Sequence, residues 1–291
     1  ANCAAALSLE AQNGTTRAYS PQIHAARPQA MQGKTAAHLR ELLSGSELTR
    51  PDSSRNVQDV YTLRCVPQVH GAVHATINYA QNVVEIELNS VTDNPLIFFD
   101  ENDEVIVLSG GNFHGEPLAF VLDFLSIAMT DLGNMSERRV AKLIDLNPEH
   151  YPPFLASHGG LNSGFMLLQY TAAALCSENK TLAHPDSADT ISSSGNVEDH
   201  VSMGANGALH CQQIVENVRT IIAIELMSAA QAIDFRLQKH PNANLGKGTS
   251  KVYEAVRKVV PFFNQDAYVK PNLDSLVEMV KQGRFSSISQ P

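Results

Sequence analysis

Basic residues are in short supply. Against 30 Asp and Glu stand only 21 Lys and Arg, a formal charge of −9, and no basic stripe runs along the chain. A phosphate backbone would find no electrostatic footprint, so no nucleic-acid partner is expected. Long apolar runs are missing as well. The longest, such as Ile-Ile-Ala-Ile at residues 221–224, fall far short of the roughly 20 residues a bilayer requires, so no membrane partner is expected. Cysteine is sparse: Cys3, Cys65, Cys176 and Cys211 are widely separated and form no C-x-x-C pair. That usage fits a reduced, cytoplasmic setting in which each thiol is a small core residue.

Several catalytic signatures are also absent. No G-x-S-x-G occurs, and Ser-His-Gly-Gly-Leu-Asn-Ser-Gly-Phe does not match a phosphate-binding loop, which leaves serine hydrolase and nucleotide readings unsupported. His70 and His74 lie four apart, the spacing of a zinc-binding helix. They lack the glutamate of H-E-x-x-H and a third ligand, so two polar histidines on a helix surface are expected and no metal. Asp199, His200 and Ser202 crowd the expected start of a helix, too close together to face one another as a triad.

What is present is a helical pattern. The 291 residues are 43% hydrophobic and 18% charged, enough for one large core. Between Pro67 and Asn89, Val69, Val73, Ile77, Ala80, Val84 and Leu88 recur at spacings of three and four, one stripe of a long helix. Leu-Ile-Phe-Phe and Val-Ile-Val-Leu then flank the polar Asp-Glu-Asn-Asp-Glu, the pattern of a short hairpin. Helical spacing returns at Leu118, Val121, Leu125, Met129 and Leu132, and again across residues 163–183. The longest helix is expected over 198–236, acidic at its start and apolar on most faces from Ile221 to Ile233. Shorter helices follow in a polar tail, residues 241–291. No linker, repeat or low-complexity tract divides the chain. The expected fold is therefore all-α, a single domain over residues 1–291: a bundle of long helices with one short β-hairpin and irregular loops that carry the chemistry.

Gln58, Tyr61 and Arg64, spaced by three, would align on one face if their segment makes a helical turn. An amide, a phenol and a guanidinium suit an amino-acid carboxylate and a mobile proton, although a solvated polar face would read the same way.

A wider set of strings carries a resemblance: NVQDVYTLRCVPQVHGA, NSVTDNPL, SGGNFHGEPLA, SERR, GGLNSGFM, AALCSENKTLAHP, VEDHVSMG and AIELMSAAQAIDFR, with IHAARPQAMQG near the start. From about Ala5 to Arg236 the chain resembles the aromatic amino acid ammonia-lyases, and within them the histidine branch, because Glu198 stands where phenylalanine and tyrosine lyases typically carry glutamine. The resemblance implies elimination of ammonia from L-histidine to give urocanate, an early step of histidine catabolism. It implies that Arg64 pairs with the substrate carboxylate, that Gln58 lines the site and that Tyr61 takes part in acid-base chemistry. Asn94 would support the polar network, Phe113 would contact the electrophile or the substrate ring, and Glu198 would engage the imidazole or the leaving amine. It also implies a homotetramer with shared active sites, and a methylidene-imidazolone electrophile built from an internal Ala-Ser-Gly. That tripeptide does not occur here; Ser193-Ser194-Gly195 is the nearest string and falls in the wrong part of the pattern. The expectation is thus the C-terminal portion of a lyase, inactive without its N-terminal portion. A tyrosine or phenylalanine lyase or aminomutase, or a non-catalytic module derived from a lyase, is the alternative.

Overall fold

The computed structural model describes residues 1–50, 58–145, 150–286 and 288. The polar stretch 44–55 lies outside them from residue 51 onward. Among the described residues, ten α-helices and one hairpin form the frame: α1 (Asn2–Ala11), α2 (Pro21–Ala25), α3 (Ala30–Leu42), α4 (Tyr61–Arg64), α5 (Val66–Leu88), β1 (Leu96–Phe99), β2 (Val105–Leu108), α6 (Glu116–Ile144), α7 (Met166–Leu182), α8 (Gly204–Lys239), α9 (Lys247–Arg257) and α10 (Lys270–Lys281). The all-α expectation holds, with the helix stripes read from the sequence lying within α5 to α8.

The core forms around α8. Its middle, from Ile221 to Ile233, is buried on every side, and α1, α6, α7 and α10 pack against it. α1 is buried along almost its whole length, which its alanines permit by letting neighbouring backbones come close. Small residues also set the crossing of α3 on α5. A Cβ added at Gly71 would stand 2.6 Å from the backbone of Gln32, so only glycine lets the helices meet there.

Four sequence expectations are corrected. α8 begins at Gly204, not near Glu198; Met203 adopts a left-handed conformation just before it. The preceding strip is kept out of the helix instead, by the antiparallel bridge of Ser193 with Glu198 and by the Val201 N–H donating to Thr190 Oγ1 at 2.8 Å. His70 is buried rather than on the surface, its Nδ1 2.8 Å from Asn2 Oδ1, while His74 is exposed. The α5 stripe is covered only at Val73 and Ala80; Ile77, Val84 and Leu88 are exposed, because α5 runs past the end of the chain's own core. Finally, α6 is long and apolar enough to span a bilayer by length and composition. Its inward face nevertheless carries buried Asp123, Glu137 and Arg139, and it is packed between α5, α7 and α8.

Candidate functional site

Residues 58–64 cross the bundle as an extended lead-in followed by one helical turn. Val60 is extended, and α4 then brings Tyr61 and Arg64 together, the guanidinium lying 4.4 Å from the centre of the phenol ring. A cation over a ring face is attracted by the ring quadrupole, which pre-sets both side chains. Tyr61 is 70% exposed. Gln58 precedes the turn, yet it and Arg64 line one cavity of about 730 Å³ with Asp59, Arg40 and the 15–23 loop. Gln58 and Arg64 thus share a cavity and Tyr61 meets Arg64, but the three do not lie on one helical face, since Gln58 is not helical.

The buried side of this segment is anchored by its other residues. Asp59 Oδ1 accepts from Arg50 Nη2 at 2.7 Å and Oδ2 from the Thr15 N–H at 2.7 Å. The Thr62 carbonyl accepts from Arg139 Nη1 at 3.2 Å, and the Leu63 carbonyl from the Tyr19 hydroxyl at 2.7 Å. Burial holds the Tyr19 phenol well above its ordinary range, so at neutral pH it donates. Arg139 also forks onto Glu225, Nε to Oε1 at 2.6 Å and Nη2 to Oε2 at 2.9 Å, with both side chains fully buried. The hydroxyls of Ser8 and Ser136 complete Glu225, at 2.7 and 2.6 Å.

A second group forms where the hairpin meets α6. β1 and β2 pair antiparallel from Leu96 opposite Leu108 to Phe99 opposite Val105. Just before β1, Asn94 Oδ1 accepts from the Gly110 N–H at 2.8 Å and from Ser109 Oγ at 3.1 Å, tying the two ends of the hairpin together. Phe113 stands in the next turn, 58% exposed. Its neighbour His114 stacks on His200, ring centres 5.2 Å apart and Nε2 to Nδ1 3.1 Å. Gly115 lies close to the same strip, a Cβ there coming within 3.2 Å of Ser202 Oγ. The Phe113 turn and the strip carrying Glu198 are thus held side by side. Glu198 is exposed, with Oε2 accepting from Ser193 Oγ at 2.8 Å.

Sequence reasoning missed the anchors. Arg139 lies in Ser-Glu-Arg-Arg, which marked it only as part of a pattern; nothing local singles out Tyr19. The contact of His114 with His200 joins positions 86 apart and has no local signal. With Glu116 these two could hold a metal ion, their ligand atoms lying within 4.8 Å of one another, although the two rings already serve as each other's hydrogen-bond partner.

The two groups stand at opposite ends of the bundle. α5 separates the Arg64 turn from the hairpin by 23 residues, about 34 Å of helix. α6 gives the same span independently: its first turn adjoins Phe113, and Arg139, about 35 Å along, holds Thr62. One chain therefore brings Gln58, Tyr61 and Arg64 together, and Phe113 beside the Glu198 strip, but does not unite the two sets.

The family model for the aromatic amino acid lyases matches residues 1–258. A histidine ammonia-lyase of Chloroflexus aurantiacus is 53% identical over 290 residues, 99% of this chain and 55% of that protein. Among solved structures, the histidine ammonia-lyase of Trypanosoma cruzi superposes with a TM-score of 0.88 at 42% identity, covering 99% of this chain and 53% of that one. The tyrosine aminomutase of Streptomyces globisporus superposes with a TM-score of 0.90 at 36% identity, over 99% and 57%. The chain spans about half the length of the relatives it matches. With its helical frame, its tyrosine-arginine turn and its glycine-rich Phe113 turn, the chain belongs to the aromatic amino acid lyase family.

Proposed function

We propose that this chain is the C-terminal portion of a histidine ammonia-lyase, which eliminates ammonia from L-histidine to give urocanate. The observation that carries the reading is Glu198. It lies well before α8 begins, outside the helix, so a helix-end charge does not account for it; its carboxylate is exposed, on a strip whose His200 stacks on His114 next to Phe113. A carboxylate accepts the N–H of an imidazole and favours the charged ring, which a glutamine amide does less well. The 53% identity to a histidine ammonia-lyase supports the same substrate.

In this reading Arg64 forks onto the substrate carboxylate, with Gln58 beside it in the cavity. Tyr61, oriented by Arg64, exchanges a proton with the substrate. Asn94 holds the hairpin shut so that Phe113 can close over the ring. Methylidene-imidazolone would supply the electrophile, but the residues here do not fit its formation. Ala-Ser-Gly is absent, and Ser193 of the nearest string is engaged by Glu198.

The distance between the two groups supports an oligomer in which each complete pocket draws on more than one chain, a tetramer in keeping with the resemblance. The test is Glu198→Gln in the full-length protein. Histidine turnover should fall about a hundredfold or more, as for loss of a charge-assisted contact made in the transition state, while the melting temperature stays within about 2 °C. Unchanged turnover with a lower melting temperature would sink the histidine assignment. A gain of activity on tyrosine in the variant would support the same assignment, whereas turnover of tyrosine by the wild-type protein would favour a tyrosine-directed relative, a second reading that the likeness to the aminomutase supports.

A further inference from the structure

We propose that Arg139 and Tyr19 are positioning residues for the Tyr61–Arg64 turn, acting through its backbone carbonyls and not through contact with substrate. The inference rests on the reading of Tyr61 and Arg64 given above. A single turn of four residues cannot hold its own shape, since nucleating a helix fixes several dihedrals for one hydrogen bond. The lead-in offers no help: Val60 caps α4 without a side-chain hydrogen bond. What fixes the turn must come from elsewhere.

Two groups reach it from the bundle. The Thr62 carbonyl, between Tyr61 and Leu63, takes the one Arg139 nitrogen that is not committed to Glu225. The Leu63 carbonyl, adjacent to Arg64, takes the Tyr19 hydroxyl. Neither donor is free to wander. Arg139 is locked by the bidentate pair with Glu225, itself held by Ser8 of α1 and Ser136 of α6. The Tyr19 backbone carbonyl in turn accepts from Arg40 Nη1 at 2.5 Å, and Arg40 lines the cavity that Arg64 faces. Buried donors on α6 and in the 16–19 turn thus define where the Tyr61 turn sits, and the side chains that act are aimed by atoms they never touch.

The two donors address different ends of the turn, which separates their effects. Tyr19→Phe deletes one hydroxyl without changing shape, and the loosened carbonyl neighbours Arg64. In the full-length protein it should raise KM for L-histidine about five- to tenfold, the worth of one hydrogen bond, with kcat within about twofold. Arg139→Lys replaces the fork by a point charge and frees Thr62 beside Tyr61, so kcat should fall at least about tenfold as well. A double-mutant cycle of Tyr19→Phe with Arg64→Lys should be non-additive, because the clamp has no value once the group it aims is changed. Amide hydrogen exchange supplies a readout independent of activity: Tyr19→Phe should speed exchange over residues 60–65 and leave α8 unchanged. Wild-type KM and kcat in Tyr19→Phe, or strict additivity with Arg64→Lys, would overturn the proposal even if exchange or melting temperature moved. A wild-type protein inactive on histidine with this exchange pattern intact would refute the substrate reading instead.

Discussion

Glu225 and Arg139 form the most demanding pair in the molecule. Two charges at zero exposure survive only because every polar atom is answered: Glu225 by four donors, Arg139 by Glu225 and the Thr62 carbonyl. Glu225→Leu would leave a buried cation without its partner, and urea unfolding should register a loss of about 3–5 kcal/mol. His70 is the opposite case, a buried group kept neutral. Burial pushes its folded pKa well below the ordinary value of 6.5. The unfolded state then binds the extra proton first, so the stability tied to neutral His70 is whole above about pH 6.5 and drains away as pH falls below it. His70→Gln should flatten the decline of stability between pH 7 and pH 5, as measured by denaturant midpoints at each pH. Residue-level reading from sequence was uneven for a physical reason. Gln58, Tyr61 and Arg64 declare themselves by type and spacing, whereas burial of His70 depends on Asn2, 68 positions away.

At the scale of elements, periodicity locates α5, α6 and α7 because each carries an apolar stripe, although that of α5 is left largely exposed within the chain. The start of α8 resisted the same logic. Acidic residues at 198 and 199 resemble a helix opening, but a cross-bridge from Ser193 and the left-handed Met203 keep that strip out of the helix. Tertiary pairing overrode the local preference. Glycine spacing is legible only once helices are placed. Gly71→Ala should force α3 away from α5, a cost of about 1–3 kcal/mol that a thermal melt would detect, because the Cβ meets backbone that cannot rotate aside. If the melt is unchanged, the close crossing of these helices is not as rigid as its geometry implies.

The whole molecule shows a surface that does not look finished. Ile77, Ile86 and Leu88 of α5, Phe120, Phe124 and Ile127 of α6 and every side chain from Ile97 to Phe99 and Val105 to Leu108 in the hairpin are exposed. Tyr79, Phe124 and Phe120 continue one another as a row of rings with centres 6.3 Å apart. A patch of this kind calls for a protein partner. Sedimentation at micromolar concentration should find the chain self-associated, and Phe124→Glu with Ile86→Glu should shift it toward monomer. By itself the 291-residue chain should produce no urocanate absorbance from histidine. The span of α5 also has a genetic meaning. Under the proposed assembly, Tyr61 and Glu198 of a given pocket belong to different copies. A cell carrying one allele with Tyr61→Phe and another with Glu198→Gln would make two inactive proteins. In mixed oligomers about a quarter of the pockets would inherit neither lesion, so the two alleles should rescue each other to that extent.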